Sequence, residues 1–246
     1  MKILATYNIK GGVGKTAAAV NLAYLAAREG LRTLLWDLDP QGAASFYFRI
    51  KPKVKGGVRG LLRRSRSLDN AIKATDFEGL DLMPADFSYR HMDLGLNDAR
   101  KPVKQLRKII KPLSKEYDLL FLDCAPSISL VSENVFYTAD ALLIPMIPTT
   151  LSLRTYKQLL RFFKQSPIGH VILLPFFSMV DLRKRLHRET IKLVNDKQAS
   201  VLKTMIPYAS QIELMGVRRA PLGSYGRLST ATLAFEKLWK EIKSQI

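Results

Sequence analysis

Short apolar runs alternate with segments in which apolar residues recur every three or four positions, along the whole chain. A short apolar run predicts a buried strand, and a period of three to four predicts an amphipathic helix. The predicted strands cover residues 3–6, 32–36, 79–84, 117–122, 140–148, 170–175 and 205–207. The predicted helices cover residues 15–28, 58–64, 102–115, 151–163, 181–194 and 230–243. This alternation predicts an α/β fold with a doubly wound, mostly parallel sheet flanked by helices.

Length and composition suit one domain with a sizeable core. The 246 residues include no internal repeat and no linker-like stretch, so we expect a single domain over residues 1–246. No apolar run is long enough to cross a bilayer, and Lys10 and the glycines after it interrupt the first apolar run, unlike a signal peptide. We therefore expect no integral membrane contact. The single cysteine, Cys124, excludes internal disulfides and favours a reducing cytoplasm.

Net charge changes this picture of an ordinary globular domain. Lys and Arg number 39 against 21 Asp and Glu, which gives a net charge of +18 and a pI near 10.1. An excess of this size is typical of proteins that bind a polyanion, either nucleic acid or an anionic membrane. A solvated basic surface without a single partner is the alternative. For the basic segment 49–67, a solvated surface and contact with nucleic acid or a partner are equally open.

A glycine-rich loop joins the first predicted strand to the first predicted helix. Residues 11–14 read Gly-Gly-Val-Gly, and Lys15 and Thr16 follow them. Glycines let backbone N–H groups turn inward around an anion, and a helix N-terminus adds its positive dipole end. In such a loop Lys15 reaches the β- and γ-phosphates and the Thr16 hydroxyl ligates Mg²⁺. A tight turn without a ligand is the alternative.

Acidic residues end two of the predicted strands. Asp37 and Asp39 follow the strand over residues 32–36, and Asp123 follows the strand over residues 117–122. Because the carboxyl ends of parallel strands meet at one edge of a sheet, we expect these carboxylates near the glycine loop. Carboxylate oxygens are ligands for Mg²⁺. A polar strand-to-turn junction is the alternative for the first pair. Cys124 beside them fits a buried, inert thiol better than a nucleophile, since no histidine lies in a recognisable partner motif.

Three motifs together resemble the ParA/MinD family of ATPases. The stretch Lys10–Thr16 has Ile9 where the general phosphate loop has glycine, and carries the additional Lys10 of the family's deviant Walker A box. Asp37–Gln41 is similar to the family's switch I, and Asp123–Pro126 to its switch II. The resemblance extends over nearly the whole chain and is closest to the short ParA/Soj type, since the phosphate loop begins at once.

The resemblance implies an ATPase that dimerises around ATP and Mg²⁺. Hydrolysis to ADP and phosphate is then slow, stimulated by a partner, and releases the homodimer. Lys10 would cross the dimer interface to the partner's phosphates, Asp39 would orient the attacking water, and Asp37 would support the metal shell. The implied catalytic residues are Lys10, Lys15, Asp39 and Asp123. The implied metal site comprises Thr16, Asp37, Asp39 and Asp123. The implied nucleotide contacts are Lys10, Gly11, Gly12, Val13, Gly14, Lys15, Thr16, Ala17 and, for adenine, Ile206 and Pro207.

The same resemblance implies a cytoplasmic, nucleoid-associated protein that partitions or positions a cargo. Its ATP-bound dimer would bind DNA without sequence preference, and a ParB-like adaptor would activate it. The cargo, whether plasmid, chromosome or another body, stays open. The basic residues that the family places at the DNA are best matched by Arg183, Lys184, Arg185, Arg188, Arg218 and Arg219.

Two other functions are open at this point. The first is a membrane-associated positioning ATPase of the MinD or FlhG kind, for which the amphipathic segment 230–243 would be an anchor. That segment looks more like the family's last core helix, and the chain ends within a few residues of it. The second is a DNA-binding scaffold that does not hydrolyse ATP, which Lys15, Thr16, Asp39 and Asp123 argue against. One cysteine cannot supply the two cluster ligands of the metal-cluster relatives.

Overall fold

A seven-stranded sheet forms the centre of the computed structural model, which describes residues 1–62, 68–168, 170–197 and 200–246. Within these residues the strand order is β3-β4-β2-β5-β1-β6-β7, and only β3 runs antiparallel to its neighbour. The strands are β1 (Lys2–Thr6), β2 (Thr33–Asp37), β3 (Lys73–Ala74), β4 (Leu80–Met83), β5 (Leu119–Asp123), β6 (Ala141–Met146) and β7 (Ile172–Phe177). The predicted doubly wound, mostly parallel sheet is confirmed.

Eleven α-helices are seen in the described part of the chain, on both faces of this sheet and at its edges. They are α1 (Lys15–Arg28), α2 (Ala43–Tyr47), α3 (Gly57–Leu62), α4 (Met92–Asn97), α5 (Gln105–Ile110), α6 (Leu130–Thr138), α7 (Thr150–Gln165), α8 (Arg185–Lys197), α9 (Ser210–Arg218), α10 (Leu222–Tyr225) and α11 (Thr230–Lys243). Short 3₁₀ turns cover Leu68–Asn70, Phe87–His91, Pro102–Lys104 and Lys111–Lys115.

Two hydrophobic layers enclose the sheet. On one face α1 packs against α11, and Trp239 of α11 meets Phe121 of β5 with ring centroids 6.1 Å apart. On the other face lie α5, α6 and α7, where Phe136 packs against Phe162 and Phe163. The central strands are buried on both faces, as is typical of parallel sheets covered by helices.

The direction in which successive strands are added to the sheet changes in the middle of the sheet. The chain leaves β1 through α1 and returns at β2, on one side of β1, whereas β6 and β7 lie on its other side. In open parallel sheets a crevice forms outside the carboxyl ends of the strands where the order reverses. The loop that follows β1 therefore opens at the position where ligands bind in this class of fold.

Several predicted elements differ from the observed ones. The predicted helix over residues 102–115 is wrong as one helix, because Pro112 lacks an N–H and limits α5 to six residues between two 3₁₀ turns. Residues 205–207 form an isolated bridge from Pro207 to Val180 instead of a strand. The helix predicted from residue 181 begins at Arg185, since Asp181 instead accepts bonds within a turn. The first and last helices match their predicted bounds, residues 15–28 and 230–243.

Part of the predicted basic segment 49–67 lies outside the described residues, namely Arg63, Arg64 and Arg66. The helix predicted over residues 58–64 is seen as α3, which the described residues carry to Leu62. No helix in the described ranges is both long enough and apolar enough to cross a membrane.

Candidate functional site

The glycine loop between β1 and α1 adopts a backbone that side chains would disfavour. Gly12 has a φ of 67° and Gly14 a φ of 91°, both in the left-handed region. A Cβ at Gly14 would also lie 2.8 Å from Ser178 Oγ. Two glycines of the predicted phosphate loop are therefore required by the conformation itself. Gly14 precedes the first residue of α1, so the loop opens directly onto the helix N-terminus.

Asn8 holds the start of this loop in place, although the sequence analysis did not select it. Its side-chain Nδ2 donates to the carbonyl of Pro145 at 2.8 Å, and its Oδ1 accepts from the backbone N–H of Lys10 at 2.9 Å. One buried amide thus connects the loop to β6. The sequence signal was an Asn two residues beyond the end of a buried strand.

The two lysines of the loop differ in their surroundings. Lys15 is 7% exposed, and its Nζ donates to the carbonyl of Lys10 at 3.2 Å, so the ammonium folds back over the loop. Burial lowers the pKa of Lys15, and the nearby charge of Asp123 opposes that shift. The side chain of Lys10 is more exposed. Lys15 can neutralise an anion inside the loop, whereas Lys10 can reach outward.

Two of the predicted acids meet at the carboxyl edge of the sheet. The parallel register pairs Asp37 of β2 with Asp123 of β5, and Thr6 of β1 with the same Asp123. Both carboxyls are fully buried. Thr6 Oγ1 donates to Asp123 Oδ1 at 3.2 Å, whereas Asp123 Oδ2 has no hydrogen-bond partner within the described residues.

Burial makes both carboxyls reluctant to ionise. It raises the pKa of Asp123 to about 8, with the neighbouring charge of Asp37 adding to the rise and the hydroxyls of Thr16 and Thr6 opposing it. The pKa of Asp37 rises to about 6, also mainly by burial, while bonds from Ser45 oppose that rise. A cation bound nearby would offset both shifts, because a positive charge favours the ionised carboxylates.

Asp37 also organises the segment that follows it. Its Oδ2 accepts from the backbone N–H of Ser45 at 2.8 Å and from Ser45 Oγ at 2.7 Å. Ser45 Oγ in turn accepts from the N–H of Ala85 at 2.9 Å. Ser45, which the sequence analysis missed, thereby ties the first turn of α2 to Asp37. Asp39 stays half-buried, and its Oδ1 accepts from the N–H of Gln41 at 3.0 Å.

The residues present suit a Mg²⁺ ion held jointly with phosphate oxygens. Asp123 offers a buried oxygen without a partner, and the Thr16 hydroxyl lies at the start of α1 beside it. Mg²⁺ usually keeps several waters and takes only one or two protein oxygens beside substrate phosphates. In keeping with this, no group of three or more His, Cys, Asp or Glu side chains in the described ranges forms a metal cage by itself. The oxygens of Asp37 are occupied by donors of the chain, so it fits the role of support better than direct ligation.

A cavity of about 190 Å³ adjoins the glycine loop. Gly12, Gly14 and Ala17 line one side of it, and the predicted adenine contacts Ile206 and Pro207 line another. The bond from the N–H of Ile206 to the carbonyl of Phe177 positions that wall. The two residues selected by loose resemblance are thus brought to the loop, together with Tyr208 and Ile212, which were not selected.

Cys124 is buried beside this site and makes a long contact from its Sγ to the carbonyl of Leu122 at 3.7 Å. Burial raises the pKa of its thiol, and the charge of Asp123 adds to the rise. A thiol in these surroundings stays protonated at neutral pH. The geometry agrees with the inert role that the sequence predicts.

The six basic residues predicted to contact DNA form two groups. The first group lies at the start of α8, where Arg183 pairs with Asp181 at 2.9 Å and Arg185 pairs with Glu189 at 2.6 Å. Arg188 donates to the carbonyls of Leu182 and Arg183, and Lys184 is exposed.

The second group lies at the end of α9. Arg218 is exposed, and the guanidinium of Arg219 lies 4.5 Å from the ring centroid of Phe46 and donates to the Phe46 carbonyl at 3.0 Å. This contact connects α9 to α2, the helix held by Asp37 through Ser45. Residues around α8 pack in one core layer and Met215 of α9 in the other.

Comparison with known proteins places this geometry in a family. A family model described as an AAA domain (AAA_31) matches residues 1–167. The chromosome-partitioning ATPase Soj of Treponema pallidum is 30% identical over 249 residues, which cover 98% of this chain and 96% of that protein. The sporulation initiation inhibitor protein Soj of Bacillus subtilis is 30% identical over 247 residues and covers 98% of both.

A solved structure agrees with these sequence matches. Cobyrinic acid a,c-diamide synthase from Mycobacterium smegmatis, with a bound ATP analogue and magnesium, superposes with a TM-score of 0.82 at 26% identity. The match covers 98% of this chain and 93% of that one. The fold, the glycine loop and the relatives found by sequence all indicate the same family. The chain belongs to the ParA/MinD family of P-loop ATPases, as its similarity to the Soj partition proteins shows.

Proposed function

We propose that this ATPase binds and hydrolyses ATP with Mg²⁺ as a homodimer, binds DNA non-specifically, and partitions or positions a cargo. The observation that carries the proposal is the meeting of three groups at one sheet edge. A left-handed glycine loop, the buried ammonium of Lys15 and the buried pair of Asp37 and Asp123 lie around the start of α1. The ammonium and the acid pair are each costly to bury alone, and a triphosphate with a divalent cation would compensate both.

In the proposed reaction each residue has a separate role. The N–H groups of residues 11–16 bind phosphate oxygens, and Lys15 stabilises charge that develops on the transferred phosphoryl group. Thr16 and Asp123 hold Mg²⁺, which when bound neutralises charge between the β- and γ-phosphates. Asp39, half-buried beside the site, orients the attacking water. Asp37 keeps α2 and this segment in place through Ser45.

Dimerisation is proposed to depend on the nucleotide. The half-buried side chain of Lys10 would extend to the phosphates bound by a second copy, so that ATP becomes part of the interface. The segments Asp37–Gly42 and Asp123–Ser127 would respond to loss of the γ-phosphate and release the dimer. The Tyr7 hydroxyl donates to the carbonyl of Ser127 at 2.8 Å, which links the second segment to the residue that follows β1. We infer that turnover is slow until a ParB-like adaptor binds.

DNA binding is proposed for the ATP-bound dimer, in the cytoplasm and on the nucleoid, with residues 1–246 acting as one domain. The net charge of +18 supports it, as does the similarity to a chromosome-partitioning ATPase. Basic side chains that contact phosphates carry no sequence information, so we expect no sequence preference. If about six phosphates are contacted per dimer, the logarithm of the binding constant should fall with the logarithm of salt concentration at a slope of roughly −5.

Sedimentation with supercoiled plasmid tests the proposal. The protein would be pelleted with DNA in the presence of ATP, ADP or no nucleotide, across a salt series. We expect ATP-dependent pelleting that weakens steeply with salt. Pelleting that does not change with salt concentration would contradict the DNA proposal. Flotation with anionic liposomes, without pelleting by DNA, would favour a membrane-associated ATPase.

A further inference from the structure

A stripe of four positive side chains runs along the outer face of α7. Arg154, Lys157, Arg161 and Lys164 are separated by three, four and three residues, so they lie on one side of the helix. All four are exposed, whereas Tyr156 and Leu159 on the opposite side are buried. We call these four residues the α7 stripe. None of them belongs to the glycine loop, the acid pair or the predicted DNA contacts.

The α7 stripe is not balanced by negative charge. Residues 150–165 contain four basic residues and no Asp or Glu. Within the described part of the chain, no ion pair involves any residue of the stripe. Like charges three or four positions apart destabilise a helix. The α7 stripe therefore lowers the stability of its own helix, and no ion pair within the described residues compensates for this. Such an arrangement points to binding of an external anion.

Neighbouring basic residues enlarge this surface. The segment 101–115, which contains α5, has six basic residues and no acidic one. The helix α6 lies between α5 and α7: Asn134 of α6 accepts from the N–H groups of Gln105 and Leu106, and Phe136 packs against Phe162 of α7. Packed helices are about 8–10 Å apart, so α5 and α7 lie roughly 16–20 Å apart across α6. The outer surface of this helix layer therefore carries two separate rows of positive charge, one around α5 and one on α7.

The predicted DNA contacts at the start of α8 differ in this respect. Arg183 and Arg185 both form ion pairs with acids of their own chain. The residues of the α7 stripe keep their full charge available to a partner. Among the described residues, the α7 stripe therefore carries positive charge that no ion pair reduces, unlike Arg183 and Arg185 near the start of α8.

We propose that the α7 stripe, flanked by the basic segment around α5, contacts the phosphate backbone of duplex DNA. The inference rests on the DNA binding proposed above and adds a surface separate from residues 183–188 and 218–219. The four residues span ten positions, about 15 Å along the helix at 1.5 Å per residue. A duplex presents roughly nine phosphate charges over that length.

The chemistry of the outer face favours DNA over a lipid surface. A helix that binds the membrane interface turns an apolar face toward the lipid. In α7 the aromatic and aliphatic residues beyond the first turn instead face the core, Leu151 in the first turn is exposed, and Gln158 and Gln165 lie exposed among the basic residues. A face of basic and amide side chains suits phosphates and sugars in water.

A pair of charge-neutralising variants tests the inference. Lys157→Gln/Arg161→Gln removes two charges from the stripe. Lys237→Gln/Lys240→Gln removes two exposed charges from α11, which packs on the opposite face of the sheet, and is the matched control. Binding of each protein with ATP to a fluorescein-labelled random-sequence duplex would be followed by anisotropy from low to high salt. Thermal melting would check that both variants fold.

The stripe variant should flatten the salt dependence by about 1.8 in the log–log slope for each protomer that contacts DNA, or about 3.6 when both protomers of the dimer lose two contacts, and the control should leave it unchanged. ATP turnover without DNA should be the same in all three proteins. If the wild type binds DNA and the stripe variant behaves as the control does, the inference is wrong and the proposed function stands. If the wild type does not bind DNA, both are wrong. Loss of binding to anionic vesicles with unchanged DNA binding would assign the stripe to lipid instead.

Discussion

The sheet edge and the α7 stripe are both proposed to bind phosphate, and they are built in opposite ways. At the edge, Lys15 is buried and bonded to its own loop, and Asp37 accepts two bonds from Ser45. On α7, four charges stand in solvent with no acid near them in sequence. Burial makes each interaction at the edge strong and geometrically specific, whereas exposed charges act through water and salt.

This difference predicts how each region responds to mutation. A single change at the edge leaves a buried charge or dipole without its partner, so the effect is large and local. A single change on α7 removes one screened contact among several, so its effects add over several residues and vanish at high salt.

Asp39→Ala should have the largest effect on turnover. Loss of the residue proposed to orient water lowers the rate of ATP hydrolysis about 10²- to 10⁴-fold, the usual range for such a group. ATP binding, dimerisation and DNA binding should persist, because Asp39 is half-buried and is not part of the buried acid pair. Phosphate release and ATP binding measured on the same preparation check this. Turnover near the wild-type rate would exclude the role of Asp39.

Lys15→Ala should lower ATP affinity about 100-fold, since a hydrogen bond to a charged group contributes about 1.5–3 kcal/mol and the buried phosphates would lose their cation. Titration with a fluorescent ATP analogue measures the loss. Lys10→Ala is the matched control on the same loop. It should bind nucleotide and yet fail to dimerise productively, and a Lys10→Ala protein that dimerises and hydrolyses ATP normally would contradict the cross-interface role.

Stability should fall with rising pH in the nucleotide-free protein kept in a chelator. Burial raises the pKa of Asp123 from 3.8 to about 8, so the folded state holds a proton that the unfolded state has released. The resulting stabilisation is complete below pH 4 and is lost as pH rises toward 8. Each kcal/mol lost lowers the melting temperature by about 2–4 °C.

A substitution separates Asp123 from the other titrating groups. In Asp123→Asn the melting temperature should depend less on pH between 5 and 8. Asp98→Asn, at an exposed carboxyl, should keep the wild-type dependence. An unchanged pH profile in Asp123→Asn would mean that this carboxyl ionises normally in the folded protein.

The smallest effect is expected at the ion-paired arginines near α8. Arg183→Gln/Arg185→Gln removes two charges that already face Asp181 and Glu189. The change in the salt slope of DNA binding should be smaller than that for Lys157→Gln/Arg161→Gln. An equal or larger change would show that DNA displaces these exposed ion pairs, which are individually weak.

The sheet edge could be predicted from sequence because its signals are local. The sequence shows a glycine loop between an apolar run and an amphipathic segment, and it shows acids directly after strands. Once the strands are taken to be parallel, both features must lie at the carboxyl edge of the sheet. The pairing of Asp37 with Asp123 follows from that topology. Asn8 and Ser45 could not be found in this way, because their partners Pro145 and Asp37 are set by tertiary contact and no local pattern identifies them.

Contacts and charge patterns at the surface were harder to predict from sequence, because most of them also depend on tertiary structure. The helix broken at Pro112 could have been expected, since proline disfavours a helix interior. The contact of Arg219 with Phe46 joins residues that are far apart in sequence, and only the fold brings them together. The charges of α7 were visible in the sequence, but their common outward direction needed the buried positions of Tyr156 and Leu159.

We propose that nucleotide phosphate bound at the sheet edge controls the binding of DNA phosphates at the surface, which links the two regions. This claim is tested most directly by measuring the affinity for a random-sequence duplex with ATP, ADP and no nucleotide, using Asp39→Ala to prevent turnover. We predict tight binding that depends on salt with ATP alone, and weak binding in the other two states. Equal affinity in all three states would contradict the claim.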